Sequence, residues 1–197
     1  MRLIKDIYAD KEALGKPTIS FEFFPFKTPE GEVRFFDKTL PALMEARPDY
    51  ASVTYGAGGS TREKTLEIVE KIQGDFGLTT MAHLTCVKHT IDEINSILDD
   101  AKNRGIRNIL ALRGDPPPGE NWSMTDGGFE YASDLVSYIK AQGDFGIAVA
   151  GFPEGHIDCK DGKEVDWQYL IKKIKCGADI VITQMFFDNS DYFQLVD

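Results

Sequence analysis

Asn108–Glu120 reads NILALRGDPPPGE. A short apolar run, Ile109-Leu110-Ala111-Leu112, breaks into Arg113, Gly114, Asp115 and the prolines at 116, 117 and 118. A run of that length bounded by turn residues predicts a buried strand. The prolines fix φ and remove amide donors, so the chain beyond Asp115 is expected to be a stiff, extended lip. A guanidinium and a carboxylate then stand at the mouth of a strand, with a glycine between them that leaves room for a ligand. Charge at such a place costs desolvation unless a ligand or partner uses it. The alternative is an ordinary strand exit carrying an Arg–Asp surface pair, and the stretch alone leaves both open.

Outward from this strand, the chain repeats strand, polar group, loop and helix. On the N-terminal side, strands are expected at Thr18–Phe24, Tyr50–Tyr55 and Thr79–Thr85. Helices are expected over Pro29–Ala46, with a kink or break at Pro41, and over Thr90–Arg104, stopped by Gly105. Between the second and third strands, the loop GAGG leads to Ser60, with Glu63 at capping-box spacing, and a helix with Leu66, Val69 and Ile72 on one face. On the C-terminal side, helices are expected at Tyr131–Gln142 and Val165–Lys175, strands at Gly146–Phe152 and Asp179–Gln184, and a last helix from about Asn189. No linker, low-complexity tract or close repeat interrupts the series.

Strands alternating with crossover-length helices imply βαβ units and a parallel sheet. A doubly wound sheet would gather function at one switch point, usually behind a Gly-rich turn after the first strand. Here that strand runs into FPFKTPEG, and the later GAGGST lacks the third glycine of the dinucleotide fingerprint. A barrel spreads its chemistry over many strand ends. Glu22, Thr54, His83, Arg113 with Asp115, His156 and Gln184 come from six successive strand ends, which favours a (β/α)8 barrel. Such barrels typically take about 250 residues. With 197 residues and six strands, a single barrel domain truncated after about six units is expected, its C-terminal part missing.

The composition, 42% hydrophobic and 27% charged, is that of a globular domain. A net charge of −10 excludes a basic stripe for nucleic acid and disfavours an anionic membrane surface. The charged start lacks a signal-peptide core and no run approaches a membrane span, so a cytoplasmic protein is expected. Cys86, Cys159 and Cys176 form neither a metal motif nor a disulfide framework. They are expected to be small buried or half-buried residues.

Among the candidates, Glu22 stands out. Alternation puts it on one face with Ser20 and Phe24, amid Phe21, Phe23, Pro25 and Phe26. Such apolar company is expected to favour the protonated form, that of a general acid near neutral pH. A structural Glu paired to a cation inside the barrel is the alternative. His83 could be a satisfied core histidine, and no second histidine stands at metal-ligating spacing, so no metal site is expected. Thr54 could equally be core. Gln184 offers paired donor and acceptor functions suited to a heterocycle edge. Phe152 offers a ring to stack on, with His156 beyond a glycine. Lys172 and Lys173 fit either a phosphate or a solvated helix face. Gly127-Gly128 reads as a flexible helix entry. No Ser-His-Asp set, thiol–histidine pair or P-loop is present. One acid, one anion and no nucleophile call for an organic cofactor.

Taken together, FEFFPFKTPEG, VTYGAGGSTREKT, AHLTC, LALRGDPP, YASDLV, FPEGH and GADIVITQMFFD resemble the methylenetetrahydrofolate reductase family, in that family's order, from Ser20 to Asp188. The resemblance implies a flavin-dependent (β/α)8 barrel. NADH or NADPH reduces FAD, and hydride passes to 5,10-methylenetetrahydrofolate to give 5-methyltetrahydrofolate, in one-carbon and methionine metabolism. It further implies a cytoplasmic homo-oligomer. By motif, Glu22 corresponds to the acid that protonates the folate and helps open its five-membered ring to the iminium. Asp115 corresponds to the carboxylate near flavin and pterin, where negative charge would disfavour the anionic reduced flavin, and Gln184 to a folate ligand. The FAD positions fall on Thr54, Tyr55, His83, Leu112, Arg113, Gly114, Asp115, Tyr131, Ala132, Phe152, His156, Asp166 and Lys173. Phe26 stands where the family commonly has a second proline, and Phe152 replaces a tyrosine seen in some members. Two other readings remain: a flavin-free pterin-binding barrel such as a methyltransferase, and an inactive truncated fragment that binds partners through open strand edges.

Overall fold

In the computed structural model the described residues are 1–56, 62–116, 119–120 and 122–197. Six strands form one parallel sheet in sequence order: β1 (Ser20–Phe23), β2 (Tyr50–Val53), β3 (Thr79–Thr85), β4 (Asn108–Leu112), β5 (Gly146–Gly151) and β6 (Ile180–Thr183). Each pairs with the next, and no strand is inserted out of order. There is therefore no switch point. The sheet is an open run of consecutive βα units of the TIM type rather than a doubly wound sheet.

Helix α1 (Ile4–Ala13) precedes the sheet, and α2 (Pro29–Arg34) and α3 (Leu40–Met44) lie between β1 and β2. The later crossovers are α4 (Arg62–Phe76), α5 (Ile91–Asn103), α6 (Ala132–Gln142) and α7 (Lys163–Lys175), with α8 (Asn189–Val196) after β6. The long helix expected over Pro29–Ala46 is interrupted by a π turn at Phe35–Thr39, where the Leu40 N–H donates to the Phe35 carbonyl. The break falls immediately before Pro41, whose ring crowds the preceding turn and whose nitrogen has no proton. The widened turn carries two adjacent rings inward, Phe35 and Phe36, and they pack edge-on against Phe23 and Phe26.

Strand alternation sorts the core into two. Outward-facing Phe23, Ala51, Val53, Ala82, Leu84, Ile109, Ala111, Ile147 and Val149 meet the helices, including Ile94, Leu98 and Ala101 of α5 and Leu135, Val136 and Ile139 of α6. On the inner face, Tyr50, Met81, Leu110 and Ala148 rest on Ile4 and Ile7 of α1, which plugs the N-terminal end of the strands. Buried Asn108 fastens the plug. Its Oδ1 accepts from the Ile4 amide at 2.9 Å and its Nδ2 donates to the Arg2 carbonyl at 3.0 Å.

The predicted helix start at Thr90 is a full capping box with Glu93, which satisfies otherwise orphaned donors of the first turn. Gly105 ends α5 at φ +71°. Residues 57–59 of the GAGG loop, the Ser60 cap and the prolines at 117 and 118 lie outside the described residues.

Candidate active site

The C-terminal ends of the strands carry the polar inner-face residues. Glu22 on β1 is in register with Ser52 on β2, and Ser52 with Met81, so His83 stands one inner-face position further along β3. The three side chains meet. Ser52 Oγ donates to Glu22 Oε2 at 3.3 Å, and His83 Nε2 lies 3.4 Å from the same oxygen. The ring nitrogen is not aligned as a good hydrogen-bond donor, so the contact is chiefly one of charge with dipole or cation. Glu22 Oε1 has no hydrogen-bond partner among the described residues.

This geometry corrects the expected protonation of Glu22. The phenylalanines beside it in sequence point elsewhere: Phe23 outward into the aromatic cluster, Phe24 into solvent. The carboxyl is half exposed, at 51%, and faces polar groups from β2 and β3. The His83 contact, ahead of partial burial that opposes it, holds Glu22 below the usual glutamate range, and the Ser52 hydroxyl adds to the effect. In the free site Glu22 is a carboxylate.

At β4 the prediction holds for position and fails for detail. Arg113 does not pair with Asp115 among the described residues. Its guanidinium sits over the Trp122 ring, 5.2 Å from the centroid, and Asp115 is exposed. Gly114 leaves no room for a ligand on its Cβ side. It has φ +84°, and a Cβ there would come within 2.6 Å of Val87 and 2.8 Å of Thr85. The glycine is needed because β3 and β4 stay zipped beyond their ends, the Cys86 and Val87 amides donating to the Leu112 and Arg113 carbonyls. Cys86 donates its thiol to the Arg113 carbonyl, and burial pushes its pKa up to about 11, so it is structural. Thr85, not anticipated from sequence, is buried with Oγ1 unpartnered among the described residues.

The remaining candidates lie on the loops and helices that follow β2, β4, β5 and β6. The Thr54 amide donates to the Phe23 carbonyl, and Tyr55 Oη lies 3.1 Å from buried His89 Nε2. Tyr131 caps α6 with an exposed ring, directly before Ala132. Phe152 and His156 meet edge-to-face at 4.6 Å, with Trp167 Nε1 donating to the Phe152 carbonyl. Lys173 is not a solvated lysine: its Nζ donates to the Ala150 carbonyl at 2.6 Å. Burial lowers its pKa, against the charge of Asp166 on the same helix. Lys172 stays outside, over the Tyr131 ring. Gln184 is exposed, its backbone N–H donating to the Gly151 carbonyl. Gly127-Gly128 is docked rather than loose, the Gly127 carbonyl accepting from the Ile91 amide at the start of α5.

Sequence reasoning missed Ser52, Thr85 and Trp122. Ser52 and Thr85 had a usable signal, since each shares strand parity with a candidate two residues away (Thr54 and His83). Trp122 had none. No group of three potential metal ligands occurs among the described residues. A cleft of about 410 Å³ at the other end, lined by Arg2, Lys11 and Asp49, lies away from this chemistry.

A Zea mays relative named methylenetetrahydrofolate reductase (NADH) 1 is 41% identical over 194 residues, 93% of this chain and 32% of its own. The Escherichia coli K12 protein named 5,10-methylenetetrahydrofolate reductase is 41% identical over 186 residues, 94% of this chain and 60% of its own. The chain thus spans between about a third and three fifths of these relatives. Among solved structures, a Clostridium thermocellum protein described as binding two copies of 5-methyl-5,6,7,8-tetrahydrofolic acid superposes with a TM-score of 0.55 at 15% identity. That match covers 96% of this chain and 62% of the other. A 2,3-dimethylmalate lyase superposes at 0.59 with 10% identity, covering 100% of this chain and 67% of its own. At such identities the likeness is one of fold. The sequence profile of methylenetetrahydrofolate reductase matches residues 7–197, which span the whole sheet, and the chain belongs to that family.

Proposed function

We propose that the chain carries the site for reduction of 5,10-methylenetetrahydrofolate to 5-methyltetrahydrofolate by NADH or NADPH through FAD. The observation that carries this reading is the Glu22 carboxyl. One oxygen is anchored by Ser52 and His83 and the other is unpartnered at the strand mouth of a chain in this family.

The residues fit the cofactor on one structural count. His83 Nε2 and Thr85 Oγ1 are buried polar atoms without hydrogen-bond partners among the described residues. Such groups are costly unless something else satisfies them. The holding set is Thr54, Tyr55, His83, Leu112, Arg113, Gly114 and Asp115 from β2 to β4, with Tyr131, Ala132, Phe152, His156, Asp166 and Lys173 beyond. When bound, FAD supplies a hydride acceptor for the nicotinamide and a hydride donor for the folate.

Glu22 handles the proton. Because the free carboxylate is ionised, it must take up a proton before it gives one. A pterin laid over a half-exposed carboxylate removes water from it, which favours the protonated form. Oε2 stays tied to β2 and β3, and Oε1 is the atom free to hold the proton against a folate nitrogen. Asp115 keeps negative charge at the β4 exit, and Gln184 offers an amide to the pterin edge. Cytoplasmic location and a homo-oligomeric assembly belong to the same reading. No helix among the described residues is long and apolar enough to cross a membrane.

The test is the visible spectrum of the purified chain with FAD, followed anaerobically through addition of NADH and then of methylenetetrahydrofolate. Bleaching and then return of colour support the reading; a protein that does not take up FAD refutes it and leaves the inactive fragment or the flavin-free barrel. Glu22→Gln should bleach with NADH as the wild type does and fail to recolour with the folate. Equal damage to both steps would remove Glu22 from the folate's proton.

A further inference from the structure

His83 belongs to the proposed flavin set, yet its ring nitrogen also lies 3.4 Å from Glu22 Oε2. Both side chains lie on the inner face, and Ser52 between them touches the same carboxylate oxygen. His83 is 8% exposed, and its neighbours at that level of β4, Leu110 and Leu112, offer no competing charge. Arg113 at the end of β4 is directed to Trp122. Among the described residues His83 is the one titratable group in charge contact with Glu22, and Glu22 the one in contact with His83 Nε2.

We infer that His83 is a positioning residue for Glu22: its ring, with Ser52, holds the Oε2 side of the carboxyl and leaves Oε1 to serve the substrate. An oxygen held on that side biases the carboxyl's orientation, and a buried imidazole 3.4 Å away favours the carboxylate. This rests on reading Glu22 as the proton-handling group, and it joins the flavin face of the site to the folate's proton through one side chain.

The test follows the Glu22 13C-carboxyl signal by NMR against pH in the full chain as purified, assigned by its absence in Glu22→Gln. In His83→Leu, a substitution suited to the apolar neighbours Leu110 and Leu112, the Glu22 midpoint should move up. In His83→Gln, which restores a donor, it should return toward the wild type. An unchanged midpoint in His83→Leu overturns the coupling. Should His83→Leu not fold, the wild type still decides. The His83 ring signal should show an inflection at the Glu22 midpoint that disappears in Glu22→Gln, and its absence in the wild type overturns the proposal. In the flavin assay, the alkaline limb of the folate step should move to higher pH in His83→Leu. A folate step with wild-type pH dependence overturns the positioning role. A wild-type chain that neither bleaches nor recolours refutes the proposed function, while the titration still reports on the pair.

Discussion

Gly114→Ala should damage the site by unfolding its frame rather than by touching a ligand. At φ +84° an alanine sits in a region costing L-residues about 1–2 kcal/mol. The added methyl would lie 2.6 Å from Val87 Cγ1 and 2.8 Å from Thr85 Cβ. Neither neighbour is the far end of a flexible chain: both are branched residues, Thr85 at the end of β3 and Val87 in the zipped segment after it. Relieving the overlap therefore separates that segment from β4, an overpacking cost of about 1–3 kcal/mol. The sum, about 2–5 kcal/mol, is a large part of an ordinary domain's stability of about 5–15 kcal/mol. Gly105→Ala is the control, because its φ is +71° and a Cβ there meets nothing within 4 Å. It should lose the conformational part alone. With a urea slope near 2 kcal/mol/M, Gly114→Ala should unfold about 0.5–1.5 M earlier than Gly105→Ala. Equal midpoints for the two variants would refute the steric argument and reopen the space beside Gly114 to a ligand.

Two predictions concern the opposite end of the strands. Asn108→Ala leaves the Ile4 amide and the Arg2 carbonyl without their partner, which should cost about 1–3 kcal/mol. It should raise amide exchange at Ile4 and Ile7; unchanged exchange there would mean that α1 is held without it. Asp49 ties α1 to β1, accepting from the Ile19 amide at 2.9 Å and pairing with Lys11 at 2.6 Å. Burial alone would push Asp49 up, but Lys11 and the Ile19 amide hold it below the usual aspartate range. A depressed carboxyl contributes stability above its unfolded pKa of about 4 and loses it as pH falls through the folded value. Asp49→Asn should therefore be less stable than the wild type at neutral pH, the gap closing in acid. A gap that persists at low pH would contradict this.

What could be read from the sequence follows a physical divide. The strands, and the faces of α4, α5 and α6, were legible because burial imposes period 2 on a strand and 3.6 on a helix: Leu66, Val69, Ile72, Leu135, Val136 and Ile139 are all buried. Local chemistry was legible too, in the Gly105 stop of α5 and the break before Pro41. The state of Glu22 was not. Its neighbours along the chain are phenylalanines, but its neighbours in space belong to β2 and β3, and parallel pairing places those 30 and 61 positions away. The single-strand reading therefore inverted the sign of its pKa shift. For Gly114 the residue was rightly singled out and the occupant wrongly guessed, because the space beside it is filled by side chains from another strand.

Thr85 separates what holds the sheet together from what serves the site. Its hydroxyl is buried, at 6% exposure, and Oγ1 has no hydrogen-bond partner among the described residues. For stability alone that is a defect. Thr85→Val keeps the branched shape that packs beside Gly114 and removes the unpartnered oxygen, so it should stabilise the chain, by about 1 kcal/mol, rather than weaken it. Proteins retain such costs where function needs the group. If the hydroxyl belongs to the cofactor's cradle, the same variant should bind FAD more weakly, read by flavin fluorescence quenching on titration. A variant that is more stable with unaltered FAD affinity would take Thr85 out of the cradle. A variant that is less stable would show that the hydroxyl already has a partner in the folded chain, and that the mouth of the barrel is better satisfied than its geometry implies.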